Sequence, residues 1–237
     1  MEKDKLLNEL VTRLRGAYGD KLVSVVLYGS AASGEFHKKF SDLNVMCVLK
    51  RIGLEELELS GETIRWWQKQ KQPPPMMLSR EEVENAHDAF PIEFLDIQQN
   101  HRILHGEDVV AAIKVHTQQH RRQVEHELRS GLLRLRERYL GIQKDKKDVA
   151  QLMLNSLSTF STLFRHALIL AGKTAPVKKR EIFKATAQHF SISAEPFETL
   201  LATREGVRKL ADGEVRPLFE TYLSQITRMA EAVDKLA

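Results

Sequence analysis

LVSVVLYGS at residues 22–30 and SDLNVMCVL at residues 41–49 are two apolar, β-branched stretches of the kind that form buried strands. The first ends in Gly29 and Ser30, and Asp42 stands at the head of the second. Glycine has no Cβ, so the backbone N–H groups of such a turn can approach a phosphate closely. An acidic residue at the start of the next strand can hold a divalent metal against that phosphate. The pattern predicts a strand, an anion-binding turn and a second strand.

The size and composition are those of an ordinary globular protein of one or two domains. The chain has 237 residues, of which 42% are hydrophobic and 29% charged. No apolar stretch is long enough to cross a bilayer, so a membrane partner is not expected. The start, MEKDK, lacks the layout of a signal peptide, and the only cysteine, Cys47, lies within a strand-like run. These features predict a cytoplasmic protein without disulfides.

The charge balance is mildly basic. The net charge is +4 and the sequence pI is about 9.1, which would suit a phosphorylated ligand. The most basic run, residues 120–138, alternates with Glu125, Glu127 and Glu137 at spacings that pair charges along a helix. A solvated helix face is the simpler interpretation of this run. Nucleic acid is therefore not expected as a partner, and binding to it would weaken steeply with salt.

The first half of the sequence alternates between helix and strand patterns. Helices are predicted at residues 4–18, 54–70 and 80–89, and Ser79 with Glu82 forms a capping box for the last of them. A turn and a short helix are expected at residues 30–40. Strands are predicted at residues 22–27, 43–49, 76–78 and 92–97. In the strand at residues 92–97, Glu93 and Asp96 would point to opposite faces.

From about Gln98 onward the strand signals stop. Helical patterns follow at residues 116–140, 148–171, 178–189, 195–210 and 216–236, separated by polar turns as in antiparallel bundles. The helix at residues 148–171 is apolar over most of its circumference, which predicts that it is central and buried. We therefore expect a mixed α/β domain at residues 1–112 and an all-α bundle at residues 113–237. No heptad seam indicates an oligomeric state.

The YGS motif at residues 28–30, followed by SDLNV at residues 41–45, resembles the Gly-Ser, spacer, Asp-x-Asp signature of the nucleotidyltransferase superfamily. That superfamily includes DNA polymerase beta and the antibiotic nucleotidyltransferases. The resemblance covers roughly the first 110 residues, and the helical remainder more loosely resembles the accessory bundle of the kanamycin-nucleotidyltransferase type. It implies an α/β nucleotidyltransferase-like domain with a mixed sheet, followed by an all-α helical bundle.

The resemblance also implies roles for individual residues. In that family the Gly-Ser turn holds the triphosphate of an NTP, and two acids on the second strand with a third on a later strand bind two divalent metals. Gly29 and Ser30 are thus the implied nucleotide-binding residues, and Asp42 is the implied first metal ligand. Glu93 is the residue implied at the third acidic position, and Asp96 is the alternative, because strand alternation alone does not choose between them.

Asn44 departs from the family pattern, because it stands where the family has its second carboxylate. Two Mg²⁺ ions held about 3.5–4 Å apart repel each other, and negative charge between them must offset the repulsion. An amide oxygen can ligate Mg²⁺ but contributes no charge. We therefore expect one metal, held by Asp42 and Asn44 with the nucleotide phosphates, to bind more readily than a second.

The function implied by the resemblance is transfer of an NMP from an NTP to an acceptor hydroxyl, with Mg²⁺ as the cofactor. Asp42 and Glu93 are the implied catalytic residues, and the acceptor is a small molecule or a protein that the sequence does not identify. The alternative, motivated by Asn44, is a catalytically degenerate member of the same fold. Such a protein would bind nucleotide or a protein partner, as an antitoxin-like module does.

Overall fold

Two units of different architecture make up the chain: one ends at His116 and the other begins at Thr117. The computed structural model of the protein describes residues 2–32, 42–85 and 89–236, with the backbone alone of Glu2 and Ser30. Most of the turn and short helix predicted at residues 30–40 lies outside the described residues.

The first unit alternates helices with the strands of one sheet. Its helices are α1 (Glu2–Tyr18), α2 (Leu54–Leu59), α3 (Gly61–Lys69), α4 (Arg80–Asn85) and α5 (Pro91–Gln99). Its strands are β1 (Leu22–Tyr28), β2 (Asn44–Leu49), β3 (Met76–Ser79) and β4 (His101–Gly106). The single helix predicted at residues 54–70 is instead two helices separated by Ser60. The predicted capping box is present, because the backbone N–H groups of Ser79 and Glu82 bond to each other's side chains at 2.7 and 3.1 Å.

The sheet has four strands in the order β3-β2-β1-β4. Strand β1 runs antiparallel to both β2 and β4, whereas β3 pairs in parallel with β2, so the sheet is mixed as predicted. Tyr28, the last residue of β1, lies between Asn44 of β2 and His101 of β4. Ends of three strands therefore meet where the Gly-Ser turn begins.

Helices cover both faces of the sheet. On one face, alternate residues of β1 and β2 pack with α1 and with the fully buried Trp67 of α3. On the other face the strands pack with α4 and α5, where Ile97 is buried. Leu43 and Val45 belong to the core on the α1 side. Because side chains alternate along a strand, Asn44 between them faces the α5 side.

The strand predicted at residues 92–97 is wrong, because this segment is helix α5. Pro91 occupies its first turn, where the fixed φ and missing N–H of proline favour a helix start. The buried residues Ile92, Phe94 and Ile97 have a spacing that fits a helix as well as a strand. The sequence pattern also does not reveal β4, HRILHG, which has only two apolar residues and forms by pairing with β1 at the sheet edge.

The second unit is helical throughout its described residues. Its helices are α6 (Thr117–Ile142), α7 (Lys146–Leu170), α8 (Lys179–Phe190), α9 (Glu195–Arg204) and α10 (Asp212–Asp234). Helix α7 contacts each of the other four, which confirms that it is the central helix. On α6, Glu125 pairs with Arg121 at 3.1 Å and with Arg129 at 2.8 Å, so the basic run pairs its charges as predicted. Across the described ranges, every helix is too short or too polar to span a membrane.

A buried carboxylate makes the stability of the first unit depend on pH. The side chain of Glu56 is only 2% exposed, and it accepts hydrogen bonds from Lys21 Nζ and from the N–H of Gly53, both at 3.0 Å. The hydrogen bond from Lys21 lowers the pKa of Glu56 below its ordinary value. A carboxylate whose pKa is lowered by folding stabilises the fold above its unfolded pKa, and this contribution is lost as the pH falls through the folded pKa.

We expect Glu56→Gln to lower the free energy of unfolding of this unit at neutral pH. Below about pH 5 the free energy of unfolding of the variant should depend less steeply on pH, because the pKa of an unfolded glutamate is about 4.3. Trp66 and Trp67 are the only tryptophans and both lie in α3, so their fluorescence during urea unfolding reports on this unit. Glu55→Gln is the control, since Glu55 also bonds Lys21 at 3.0 Å but is 68% exposed. An acid dependence that Glu56→Gln leaves unchanged would contradict this role.

Candidate functional site

The turn after β1 has a conformation that favours glycine. Tyr28 is extended, at φ −138° and ψ 173°, and Gly29 then enters the left-handed region at φ +74°. Residues Gly29–Ala31 form one turn of 3₁₀ helix, closed by a 2.9 Å hydrogen bond from the N–H of Ala32 to the carbonyl of Gly29. A residue with a Cβ is strained at such a φ, which accounts for glycine at this position.

Neighbouring elements hold this turn on two sides. The N–H of Gly29 donates to the carbonyl of Asn100, just before β4, at 3.0 Å. From the first turn of α1, the ammonium group of Lys3 donates to the carbonyl of Ala31. Burial and the nearby charge of Arg102 lower the pKa of Lys3. An anion bound close to Lys3 would therefore stabilise its charged form. A turn that is held in place beside an ammonium group is suited to binding an anion.

The start of β2 brings an amide to the turn. Asn44 pairs with Tyr28, and a Cβ placed on Gly29 would lie 3.5 Å from Asn44 Nδ2. The amide of Asn44 therefore packs beside the Cα of Gly29. Asp42, two residues earlier, is exposed to solvent. The structure thus brings the backbone of the turn together with the start of β2, and the side chain of Ser30 lies outside the described residues.

The two acids considered for the third position lie on α5, so the argument from strand alternation is wrong. Asp96 lies one helical turn before Asn100, whose carbonyl binds the N–H of Gly29, and its own carbonyl accepts from the N–H of Asn100 at 3.3 Å. Glu93 is exposed and stands almost two turns before Asn100, about 10 Å along the helix axis. Along the helix, Asp96 is therefore the nearer of the two acids to the turn.

The strands that follow β2 supply no carboxylate. Their sequences are MMLS for β3 and HRILHG for β4. On β3, Met76 pairs with Met46 of β2, and paired residues of parallel strands share a face, so Met76 is on the face of Asn44. None of the four described strands carries an acidic residue, and Asp42 lies two residues before β2.

A histidine to which the sequence pattern gives no role at the Gly-Ser turn lies in the same row as Asn44. His101 of β4 pairs with Tyr28, so the three residues stand side by side on three strands. The ring of His101 has Nδ1 at 3.1 Å from the carbonyl of Gln98 and Nε2 at 3.3 Å from Asp108 Oδ2. Burial acts to raise the pKa of Asp108, but hydrogen bonds from backbone N–H groups and from His101 lower it overall. Only the tertiary pairing of β4 brings this histidine to the turn.

The donor set suits one divalent ion better than two. Mg²⁺ is usually held by one or two carboxylates together with phosphate oxygens and water. Asp42 and Asn44 carry a carboxylate and an amide oxygen, which are donors of the kind that one such ion takes. Two ions need more negative charge than a single carboxylate provides. Among residues 2–32, 42–85 and 89–236, no three His, Cys, Asp or Glu side chains come together as a metal site.

Comparison with known proteins agrees with this fold. Residues 4–103 match the nucleotidyltransferase domain family. The spectinomycin adenyltransferase AAD(9) from Enterococcus faecialis, solved with ATP and spectinomycin, superposes with a TM-score of 0.58 over 98% of this chain and 99% of its own. The two sequences are 16% identical, so this likeness shows the fold. Among curated proteins, none has a sequence significantly similar to this chain.

The mixed sheet, the Gly-Ser turn and the following bundle define a protein with the nucleotidyltransferase fold. The match over residues 4–103 identifies this part of the chain as a nucleotidyltransferase domain, as the YGS and SDLNV motifs predicted.

Proposed function

We propose that this chain binds a nucleoside triphosphate with its phosphates at the Gly29–Ala31 turn and transfers the NMP to a hydroxyl group of a small molecule. The bond between the α- and β-phosphates breaks, the acceptor oxygen bonds to the α-phosphorus, pyrophosphate leaves, and the hydroxyl proton is released. The observation that carries the proposal is the position of Asn44 beside the left-handed turn, two residues after Asp42.

The comparison supports a nucleotide and a small-molecule acceptor, because AAD(9) shares the fold over nearly the whole chain and was solved with ATP and spectinomycin. A cytoplasmic setting, where NTPs and Mg²⁺ are available, is part of the proposal.

The residues of the site have distinct roles in this proposal. The backbone of the turn and Ser30 receive the phosphates, and Lys3 adds positive charge close to them. Asp42 is the charged ligand for Mg²⁺, which, when bound, would offset the charge of the leaving pyrophosphate. The amide of Asn44 offers an oxygen to the metal or an N–H to a phosphate. The roles predicted for Glu93, as metal ligand and as base for the acceptor hydroxyl, remain predictions, because its helical position removes the argument from the strand.

A second candidate function is binding without transfer. The absence of a carboxylate at Asn44 and on strands β3 and β4 favours it, because a site with one carboxylate offsets little metal charge. Such a protein would bind nucleotide at the same turn and act on a protein partner, in the manner of an antitoxin-like module.

Asp42→Asn is expected to weaken the Mg²⁺-dependent part of NTP binding by about tenfold or more, because it removes the charged ligand proposed for Mg²⁺. The measurement is a titration of the full chain with each of the four NTPs, with and without Mg²⁺, followed by calorimetry and thermal midpoint. A ligand that binds only the folded state raises the midpoint by mass action. Release of pyrophosphate in the presence of candidate acceptors then separates transfer from binding alone.

Asp20→Asn is the matched control, because Asp20 is an exposed acid that precedes β1 and pairs with Lys50 at 3.1 Å. It should leave nucleotide binding unchanged. Glu93→Gln, measured in parallel, tests the third-ligand prediction, and a loss equal to that of Asp42→Asn would place Glu93 at the metal. NTP binding that is independent of Mg²⁺ and unaffected by Asp42→Asn would overturn the proposed site.

A further inference from the structure

Two cations of the helical unit converge on one hydroxyl group. Lys179, in the first turn of α8, donates from Nζ to Ser158 Oγ of α7 at 2.8 Å. Arg204, at the end of α9, donates from Nη1 to the same oxygen at 2.9 Å. The two positive groups therefore lie within about 6 Å of each other, a distance at which like charges repel appreciably near a protein surface. A neutral hydroxyl only partly offsets that repulsion.

Neither cation has a carboxylate partner among the described residues, although their neighbours do. Lys178 lies 3.8 Å from Glu181, Arg180 lies 2.8 Å from Glu205, and Lys184 lies 3.7 Å from Glu198. The acids of this region are thus already paired with other cations. Within the described part of the chain, Lys179 and Arg204 share the oxygen of Ser158 and no carboxylate offsets their charge.

The surroundings add to the positive potential. Burial lowers the pKa of Lys179, and the nearby charge of Arg204 lowers it further. Lys179 and Arg180 stand in the first turn of α8, where the helix dipole favours anions over cations, and Lys178 at the N-cap makes no side-chain capping bond. Lys179 also lines an open cleft of about 540 Å³ beside Leu201 of α9, so a small molecule has room to reach its ammonium group. The two acids that line the same cleft, Glu181 and Glu205, are those paired with Lys178 and Arg180.

We infer that Ser158, Lys179 and Arg204 form a binding site for an oxyanion, a phosphate or carboxylate group carried by a small molecule. The site lies wholly within the helical unit and goes beyond the proposed transfer activity. Its ligand accepts hydrogen bonds from the ammonium and guanidinium groups, and the hydroxyl of Ser158 can then turn its proton toward the anion. The oxyanion has two sources, the phosphates of a nucleotide or an anionic group on another small molecule.

The test is calorimetry and thermal shift of the full chain with inorganic phosphate, pyrophosphate and citrate, at constant ionic strength balanced with chloride. The wild-type chain is expected to bind at least one of them saturably. Lys179→Gln and Arg204→Gln should each weaken that affinity tenfold or more, whereas Arg204→Lys, which keeps the charge, should retain it within about threefold. Lys184→Gln is the matched control, since Lys184 lies on the same helix but already pairs with Glu198, and it should change affinity less than twofold.

An ATP titration distinguishes the two sources. If phosphate displaces a second equivalent of ATP that Arg204→Gln also removes, the ligand is a nucleotide bound within the helical unit, apart from the one at the Gly-Ser turn. If ATP binding is unaffected, the oxyanion belongs to another molecule. Removing one cation also relieves repulsion, so without anion both Gln variants should unfold no lower than the wild type. Absence of saturable binding of all three anions, or an equal loss in Lys184→Gln, would overturn the inference. Because this experiment uses nucleotide-free anions, its failure is separate from any failure of NTP binding at the Gly-Ser turn.

Discussion

Asn44→Asp is expected to change nucleotide binding in opposite directions with and without metal. With Mg²⁺, a second carboxylate beside Asp42 should tighten NTP binding by about tenfold, because it supplies the charge that the amide lacks. Without Mg²⁺, the same carboxylate stands beside the turn that receives the phosphates and should weaken binding by a similar factor. The ratio of the two affinities, measured by calorimetry, is the sensitive quantity.

The same variant separates the two candidate functions. If the site is that of an enzyme limited by its missing ligand, the restored carboxylate should raise pyrophosphate release by about 10²-fold. If the chain only binds, tighter Mg²⁺-NTP binding should come without transfer. Asn85→Asp is the control, because it adds the same charge at an exposed position at the end of α4. Identical affinities for Asn44→Asp and wild type, with and without metal, would mean that Asn44 does not face the phosphates.

Gly106→Ala is expected to have the largest effect on stability, about 4 kcal/mol or more. Gly106 ends β4 with φ +78°, and a Cβ there would lie 2.0 Å from the carbonyl oxygen of Val23 and 3.2 Å from the Cα of Ser24. Both atoms are backbone of β1, which cannot move away as a flexible side chain can. The end of β4 must therefore separate from β1.

The measurement is urea unfolding followed by tryptophan fluorescence. Gly19→Ala is the control, because Gly19 also has a positive φ, of +52°, but no atom within 4 Å of its Cβ position. It should cost only the strain of a left-handed residue, about 1 kcal/mol. The start of β4 bonds to Gly29 through Asn100, so Gly106→Ala should also weaken NTP binding. Equal costs for the two alanine variants would contradict the close approach of β4 to β1.

Much of the fold was predictable because its signals are local. The segments that form β1 and β2 are rich in β-branched and apolar residues, so their composition alone indicates buried strands. The capping box at Ser79 and Glu82 involves residues only three apart, and it formed as predicted. The central position of α7 follows from its nearly continuous apolar surface. In each case the residues that decide the structure are close together in the chain.

The residue at the third acidic position could not be predicted, because the prediction depended on a strand at residues 92–97. A segment of six residues can fit both an alternating strand pattern and a helical pattern. Pro91 in the first turn and the packing of Ile97 favour the helix here. The strand that does lie beside the turn, β4, has two apolar residues and is held by its pairing with β1. His101 and the bond from Gly29 to Asn100 depend on that pairing, so no local pattern could reveal them.

By itself, the sequence determined strands β1 and β2, the Gly-Ser turn with Asp42 after it, and the presence of Asn44 two residues later, because chain chemistry and short-range periodicity decide these features. The tertiary structure alone decided that no acid lies on β3 or β4, and that Lys179 and Arg204 meet at Ser158. The physical reason is range: neighbouring residues indicate a turn or an apolar, β-branched strand, whereas the edge strand β4 and the sites are assembled by contacts between segments distant in the chain.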